Sequence, residues 1–157
     1  MKIVTIEVNK ANVYDAVDET TAFIGAKMLE DDSAYDRIST IDADRTMLEH
    51  FWSEACSLAT SALKPFINDV NAHPVSHTVE LALNYEAKLK VSTLYDDSLT
   101  NGIETSLFSF FVNYIVGKWC EFTNKGEASA YLTSATSMLQ DAVGNIYHRR
   151  RPERGEN

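Results

Sequence analysis

Hydrophobic and polar positions alternate in two short segments of this chain. Residues 2–8 place Val4, Ile6 and Val8 on one face, and residues 78–85 alternate in the same way. Alternation with period two, in segments that contain β-branched residues, is typical of strands. The sequence therefore predicts short strands near residues 2–8 and 78–85, which pair with each other or with the sheet of another subunit.

Elsewhere the apolar residues recur three or four positions apart. This spacing predicts four helices, over residues 11–29, 42–64, 101–122 and 124–148. The third is apolar nearly all round, which is typical of a central helix contacted on several sides. The fourth repeats apolar residues in steps of 4, 3, 4, 3 and 4, a heptad pattern that suits packing along a partner helix. We expect these last two helices to form an antiparallel hairpin.

The segments between helices carry capping and turn residues. Ser39 to Asp42 has the form of a capping box, and Asn124 with Glu127 predicts a cap for the last helix. Residues 30–40 are predicted to form an exposed acidic loop with Tyr35 and Ile38 as its anchors. Residues 68–77 are predicted to form a turn, because His73 precedes Pro74.

These elements predict a mainly α fold, a bundle of about four helices with a minor β component. The chain has 157 residues, of which 45% are hydrophobic, enough for one domain with its own core. We expect a single helical domain over residues 1–148, followed by a basic C-terminal tail over residues 149–157.

Charge separates the tail from the body. The formal net charge is -9, and residues 149–157 contain four arginines and two glutamates, so residues 1–147 carry -11. An acidic body repels phosphate backbones, so nucleic acid is not expected to bind its general surface. The basic tail has two interpretations: it docks to an acidic surface, or it complements the dipole at a helix C-terminus.

Candidate chemistry is sparse. The glycines are scattered, so nucleotide-binding and hydrolase motifs do not occur. Pro74 between His73 and His77 argues against a helical zinc site, and the acidic loop does not have the spacing of a calcium loop. Cys56 and Cys120 are predicted to be small buried hydrophobes. We therefore expect no catalytic, cofactor-binding or metal-binding residues, and no enzyme.

Membrane insertion is not expected either. The longest apolar stretch, residues 107–116, is too short to span a bilayer. The N-terminus has no long apolar signal core, so we expect synthesis in the cytosol. Protein contacts are the better expectation, and tyrosine and arginine suit them. The predicted interaction residues lie on the last helix and tail: Tyr131, Tyr147, Arg149, Arg150, Arg151 and Arg154.

Several segments resemble small structural proteins of tailed phages and prophages. The matching segments are residues 34–40 (AYDRIST), 42–48 (DADRTML), 51–52 (FW) and 146–152 (IYHRRRP). The general layout is similar to the head–tail connector, or adaptor, proteins of long-tailed phages. The strands and the acidic loop depart from the simplest all-helical connectors, so a stopper or tail terminator stays an alternative.

The resemblance implies a virion protein, present in the host cytoplasm during assembly. Its partners would be other copies of itself in a ring, the portal, and tail or neck proteins. The last helix and arginine tail would dock into the portal, and DNA would only pass through an acidic lumen. Two alternatives are a small intracellular regulatory domain that binds one protein through the 124–148 helix, and a small enzyme with dispersed catalytic residues.

Overall fold

The computed structural model describes residues 1–28, 32–71 and 83–151. A small antiparallel sheet packs against a set of helices, so the fold is mainly α with a minor β component, as predicted. The sheet has the order β1-β3-β2, and its strands are β1 (Lys2–Val8), β2 (Ile67–Val70) and β3 (Tyr85–Val91). Two 3₁₀ turns precede the third and fourth helices: Asp42–Asp44 and Asp97–Leu99.

The described part of the chain has four long helices and one short one. Their bounds are α1 Lys10–Lys27, α2 Ala34–Ile38, α3 Arg45–Leu63, α4 Thr100–Thr123 and α5 Lys125–Tyr147. Helix α4 contacts α1, α2, α3, α5 and β1, which confirms its predicted central position. Its fully buried Phe111 packs against Trp52 of α3 and Tyr85 of β3, and these aromatic rings form the middle of the core.

The central strand lies further along the chain than predicted. Residues 78–82 lie outside the described residues, and β3 begins at Tyr85, so the predicted strand at 78–85 is wrong for Leu83 and Asn84. The side chain of Asn71 explains this start, because it donates to the carbonyl of Asn84 and accepts from the amide of Glu86. From Tyr85 the inward residues alternate as far as Val91.

Residues 2–8 form β1, as predicted, and pair with β3 within the chain. Strand β2 lies in the segment predicted to be a turn. Its two central residues, Asn68 and Asp69, are exposed and polar, so the segment has no apolar alternation to reveal it. Its pairing with β3 is irregular at this point. The strand forms because β3 presents an open edge to it, which is a tertiary effect.

The predicted acidic loop contains helix α2. Ile38 is fully buried, as expected of an anchor, but Tyr35 is about half exposed and the expectation for it is wrong. Helix α2 is held by Trp119, whose indole Nε1 donates to the carbonyl of Ile38 at 2.6 Å. It also lies against α1 at Gly25, where the close approach of the two backbones leaves no room for a Cβ.

Helices α4 and α5 form the predicted hairpin. The heptad face of α5 packs on α4, where Ala128, Ala135, Ala142 and Ile146 are buried. The capping predictions are wrong. Asn124 makes no side-chain cap and instead donates to the sulfur of Met28. The capping interaction near residue 40 belongs to other residues, and Asp44 accepts from the amide of Ile41 at 2.9 Å.

An ion pair joins α1 to the start of α3. The Arg45 guanidinium donates to both carboxylate oxygens of Asp18, at 3.0 and 2.6 Å, and the Thr40 hydroxyl also donates to Asp18. Burial alone raises the pKa of Asp18. The hydrogen bonds from Arg45 and Thr40, with the Arg45 charge, outweigh that effect, so this pKa lies below its ordinary value.

We expect Asp18→Asn to reduce stability most near neutral pH. A lowered folded-state pKa contributes stability above the unfolded value of about 3.9, and this contribution is lost as the pH falls through the folded pKa. The difference in free energy of unfolding between wild type and D18N should therefore shrink below about pH 4. Urea denaturation at a series of pH values measures it. A difference that stays constant with pH would contradict this account of Asp18.

Candidate interaction surface

The chain after α5 folds back onto the loop between β3 and α4. Arg149 forms an isolated antiparallel bridge with Tyr95, and the amide of Arg150 donates to the carbonyl of Leu94 at 2.9 Å. The side chains of Arg149, Arg150 and Arg151 are exposed. Of the predicted interaction residues in the tail, Arg154 lies outside the described residues. The backbone of Arg149 and Arg150 is therefore held at a defined place on the surface.

The N-terminus reaches the same loop. Lys2 Nζ donates to the carbonyl of Tyr95 at 3.1 Å and to the carboxylate of Asp97 at 2.8 Å. The neighbouring Asp96 faces the Arg150 guanidinium at 3.7 Å. Hydrogen bonds from Ser98 hold the pKa of Asp96 below its ordinary value, and the Arg150 and His148 charges add to this. The two ends of the described chain therefore meet at one place.

The two predicted interaction tyrosines are not brought together. Tyr147 is mostly exposed and packs edge-to-face against Phe66, with 4.8 Å between ring centroids. Tyr131 lies in the other half of α5, about 24 Å away at 1.5 Å per residue. It is partly buried, and burial together with the Glu127 charge raises its pKa. Tyr147 therefore belongs to the arginine segment, and Tyr131 does not.

The heptad face of α5 is occupied within the chain. A Cβ added to Gly117 of α4 would lie 2.7 Å from the Leu132 side chain, so the two helices are in close contact there. Beside this contact lies an open groove of about 520 Å³, bounded by the end of α4 and the first half of α5. Its walls are mostly small or polar, and Leu132 is the largest apolar residue in them. A partner of α5 would have to use its outer face.

Strand β1 lies at an edge of the sheet. It pairs with β3 on one side, and within residues 1–28, 32–71 and 83–151 no strand lies on its other side. The strand is seven residues long and contains no proline. Its beginning is apolar and exposed, with Met1 87% and Ile3 49% accessible. Such an edge presents unpaired backbone donors and acceptors to an added strand.

A second exposed apolar surface lies at the C-terminal end of α4, and the sequence pattern did not predict it. It consists of Tyr35, Ile41, Met47 and Phe122, of which Ile41 and Phe122 are 60% and 67% accessible. Phe122 stacks on the buried Phe51 at 6.3 Å between centroids. The sequence contains no joint signal for this surface, because its four residues lie on three separate helices and on the segment between α2 and α3.

The His, Cys, Asp and Glu residues of the described part of the chain were candidates for a metal site. No group of three His, Cys, Asp or Glu residues there is placed to hold a metal ion. His73 and His77 lie outside the described residues. Cys56 and Cys120 are buried free thiols, as predicted, and burial raises both of their pKa values, that of Cys120 to about 11.

No helix in the described ranges is long and apolar enough to cross a membrane.

Comparison with known proteins adds no assignment. No protein-family model, no curated protein and no solved structure matches this chain. The candidate function therefore depends on the surfaces described above.

Proposed function

We propose that this chain is a structural protein of a phage virion, a head–tail connector of the adaptor type that assembles as a ring below the portal. The observation that carries the proposal is the edge of β1, on which no strand lies among the residues that the structure describes, together with the arginine segment held beside its first residues. The chain would have no catalytic role. It would be present in the host cytoplasm during assembly and in the finished virion.

The edge of β1 supports a role in assembly. Folded proteins usually shorten, charge or cover such edges, because an open edge binds other strands. Here the edge strand is seven residues long, and the exposed Ile3 lies near its start, next to the exposed Met1 that precedes it. An extended segment of a neighbouring neck protein could add to it, with backbone hydrogen bonds giving affinity and the alternate side chains giving specificity.

Charge supports the same role. The body, residues 1–147, carries a formal charge of -11, and a ring with an acidic inner wall repels DNA, so DNA passes without adhering. Arg149 and Arg151 are exposed beside the β1 edge and can dock to an acidic protein surface, which in a neck belongs to the portal, to a tail protein or to another copy of this chain.

Quantitative mass spectrometry of purified particles tests the proposal. The sample is phage-like particles from a host that carries this gene, and we expect a copy number comparable to that of the portal subunit. In a host in which the gene is deleted, a copy expressing the full chain should restore tailed particles. A copy lacking residues 149–157 should restore fewer of them. Normal tailed particles that do not contain the protein would overturn the proposal.

The regulatory alternative makes a different prediction. A domain that binds one cellular protein would give a defined small complex, and the protein would be absent from particles. The heptad face of α5, which that alternative assigned to the partner, packs on α4. A cellular partner would therefore use another surface, and the exposed end around Phe122 is the most apolar one.

A further inference from the structure

The molecule has two ends, and helix α4 joins them. At 1.5 Å per residue its 24 residues span about 36 Å. Its N-terminal end lies beside the loop that binds both chain termini, because the Tyr95 hydroxyl is 3.1 Å from that of Thr100. Its C-terminal end lies beside α2, because Arg37 Nε donates to the carbonyl of Thr123 at 3.2 Å. Helix α5 returns along the same axis.

The end beside α2 is apolar and acidic, and we call it the Phe122 end. Its exposed apolar side chains are Tyr35, Ile41, Met47 and Phe122. The segment of residues 32–44 adds four aspartates and one arginine, a formal charge of -3. The side chain of Asp42 is fully accessible.

The opposite end is apolar and basic, and we call it the Arg149 end. It exposes Met1, Leu94 and Tyr147. Residues 147–151 contain three arginines and no acidic residue, a formal charge of +3. Bonds to the loop hold this segment in place, so binding a partner would order few additional residues.

We propose that the Arg149 end of one copy binds the Phe122 end of a second copy. Each end combines exposed large apolar side chains with one charged segment, and the two segments, residues 147–151 and 32–44, have formal charges of opposite sign. Apolar surface of this kind marks protein contacts, and complementary charge sets which surfaces meet and in what orientation. A contact between two different surfaces of one chain is heterologous, and it closes into a ring when the rotation per copy allows.

This inference rests on the self-association that the proposed function includes, and it names the surfaces responsible. It assigns the contact between copies to the two ends, and it leaves the β1 edge to a neighbouring protein. The acidic residues of the Phe122 end would also repel other acidic surfaces of the same chain, which favours the basic segment of the Arg149 end as its partner.

Sedimentation velocity of the full chain, over a range of concentrations at low and high salt, measures the association. The first variant is R149E/R151E, which leaves Arg150 on its Asp96 partner. Its matched control, K88E/K90E, makes the same change of charge on the exposed face of β3. We expect wild type to associate, less so at high salt, and R149E/R151E to associate at least about tenfold more weakly.

The second variant, D36R/D42R, reverses charge at the Phe122 end and should weaken association similarly. Its control, D15R/E19R, makes the same change on the exposed face of α1. Ile41→Ser, which removes apolar surface without a change of charge, should also weaken it. Circular dichroism and thermal melting establish that each variant is folded.

A chain that carries both reversals, R149E/R151E with D36R/D42R, has the net charge of wild type. Its two segments then carry formal charges of -1 and +1, again opposite in sign, so this chain should associate more strongly than either double variant alone. Recovery in this chain would support the assignment of the two surfaces. A monomeric wild type would overturn the inference, as would an oligomer that tolerates both reversals, or failure of the combined chain to recover.

These outcomes separate the inference from the proposed function. An oligomer that does not depend on these charges, from a protein present in particles, would leave the connector function standing without this contact. Charge-dependent association of a protein absent from particles would leave the contact standing without the connector function.

Discussion

Lys10→Met is expected to lower the free energy of unfolding by about 3–5 kcal/mol. Lys10 and Glu49 form an ion pair inside the protein, with side chains 4% and 2% accessible and 2.6 Å between Lys10 Nζ and the Glu49 carboxylate. Removal of one partner leaves a charge in a low-dielectric interior without its counter-charge. This cost is much larger than the net stabilisation by an intact buried pair.

In the Lys10→Met variant, water would be a poor replacement for Lys10 as the partner of Glu49, because of the groups around the pair. The Tyr14 hydroxyl donates to Glu49 at 2.8 Å. Lys10 Nζ also lies over the rings of Tyr14 and Trp52, at 5.4 and 5.7 Å from their centroids. These rings exclude solvent from the carboxylate. The double variant K10M/E49Q removes both charges and keeps an acceptor for Tyr14, so it should recover most of the loss.

Urea denaturation of wild type, K10M and K10M/E49Q provides the measurement. The ion pair between Lys118 and Glu121 provides the control, since its side chains are 27% and 43% accessible at 3.2 Å. Lys118→Met should change stability by about 0.5 kcal/mol or less. If K10M costs no more than K118M, Glu49 is not held as a buried charge and the account of this site is wrong.

The sequence predicted the long helices because their apolar residues keep a helical spacing over many turns. It did not predict the Lys10–Glu49 pair. Both residue types usually lie at the surface, and the two positions are far apart in the chain. The pair becomes buried because side chains of α1 and α3 meet in the core, where Tyr14 lies against Trp52, and no local pattern encodes this contact. Strand β2 was not predicted for a similar reason, because the exposed polar residues Asn68 and Asp69 give its segment no apolar alternation.

The candidate surfaces were predictable only in part. The arginines after α5 were evident as a change of charge, and the structure adds their bridge to the loop at Tyr95. The heptad face of α5 predicted a helix partner, and that partner is α4 of the same chain. Periodicity shows which face of a helix is buried, but it does not show whether the covering helix belongs to another protein. Phe122 is exposed although it lies in the last turn of the apolar helix α4.

Gly25→Ala is expected to destabilise the protein by about 1–3 kcal/mol, although alanine is the better helix former. A Cβ at this position would lie 2.7 Å from Tyr35 Cα, 3.1 Å from the Ala34 carbonyl oxygen and 3.2 Å from the Tyr35 nitrogen. All three atoms belong to the backbone of α2, so no change of rotamer relieves the contact.

The clash at Gly25 can be relieved only if α2 moves away from α1. This movement weakens the packing and the hydrogen bonding of α2. The buried side chains of Ala34 and Ile38 would lose packing, and the hydrogen bond from Trp119 to the Ile38 carbonyl would lengthen. Gly144→Ala is the matched control, because it lies inside α5 with no neighbour within 4 Å of its added Cβ. That change should stabilise by roughly 0.5–1 kcal/mol through helix propensity and chain entropy.

The two glycine variants are expected to change the free energy of unfolding in opposite directions. Helix propensity favours alanine at both positions, whereas the backbone contact with α2 exists only at Gly25. The comparison therefore isolates the effect of that contact. Chemical denaturation gives both changes in free energy of unfolding. Stabilisation by Gly25→Ala as large as that by Gly144→Ala would mean that α2 does not rest on α1 at this distance. The Phe122 end would then be less rigid than its hydrogen bonds indicate, because α2 carries Tyr35 and Asp36 to that surface.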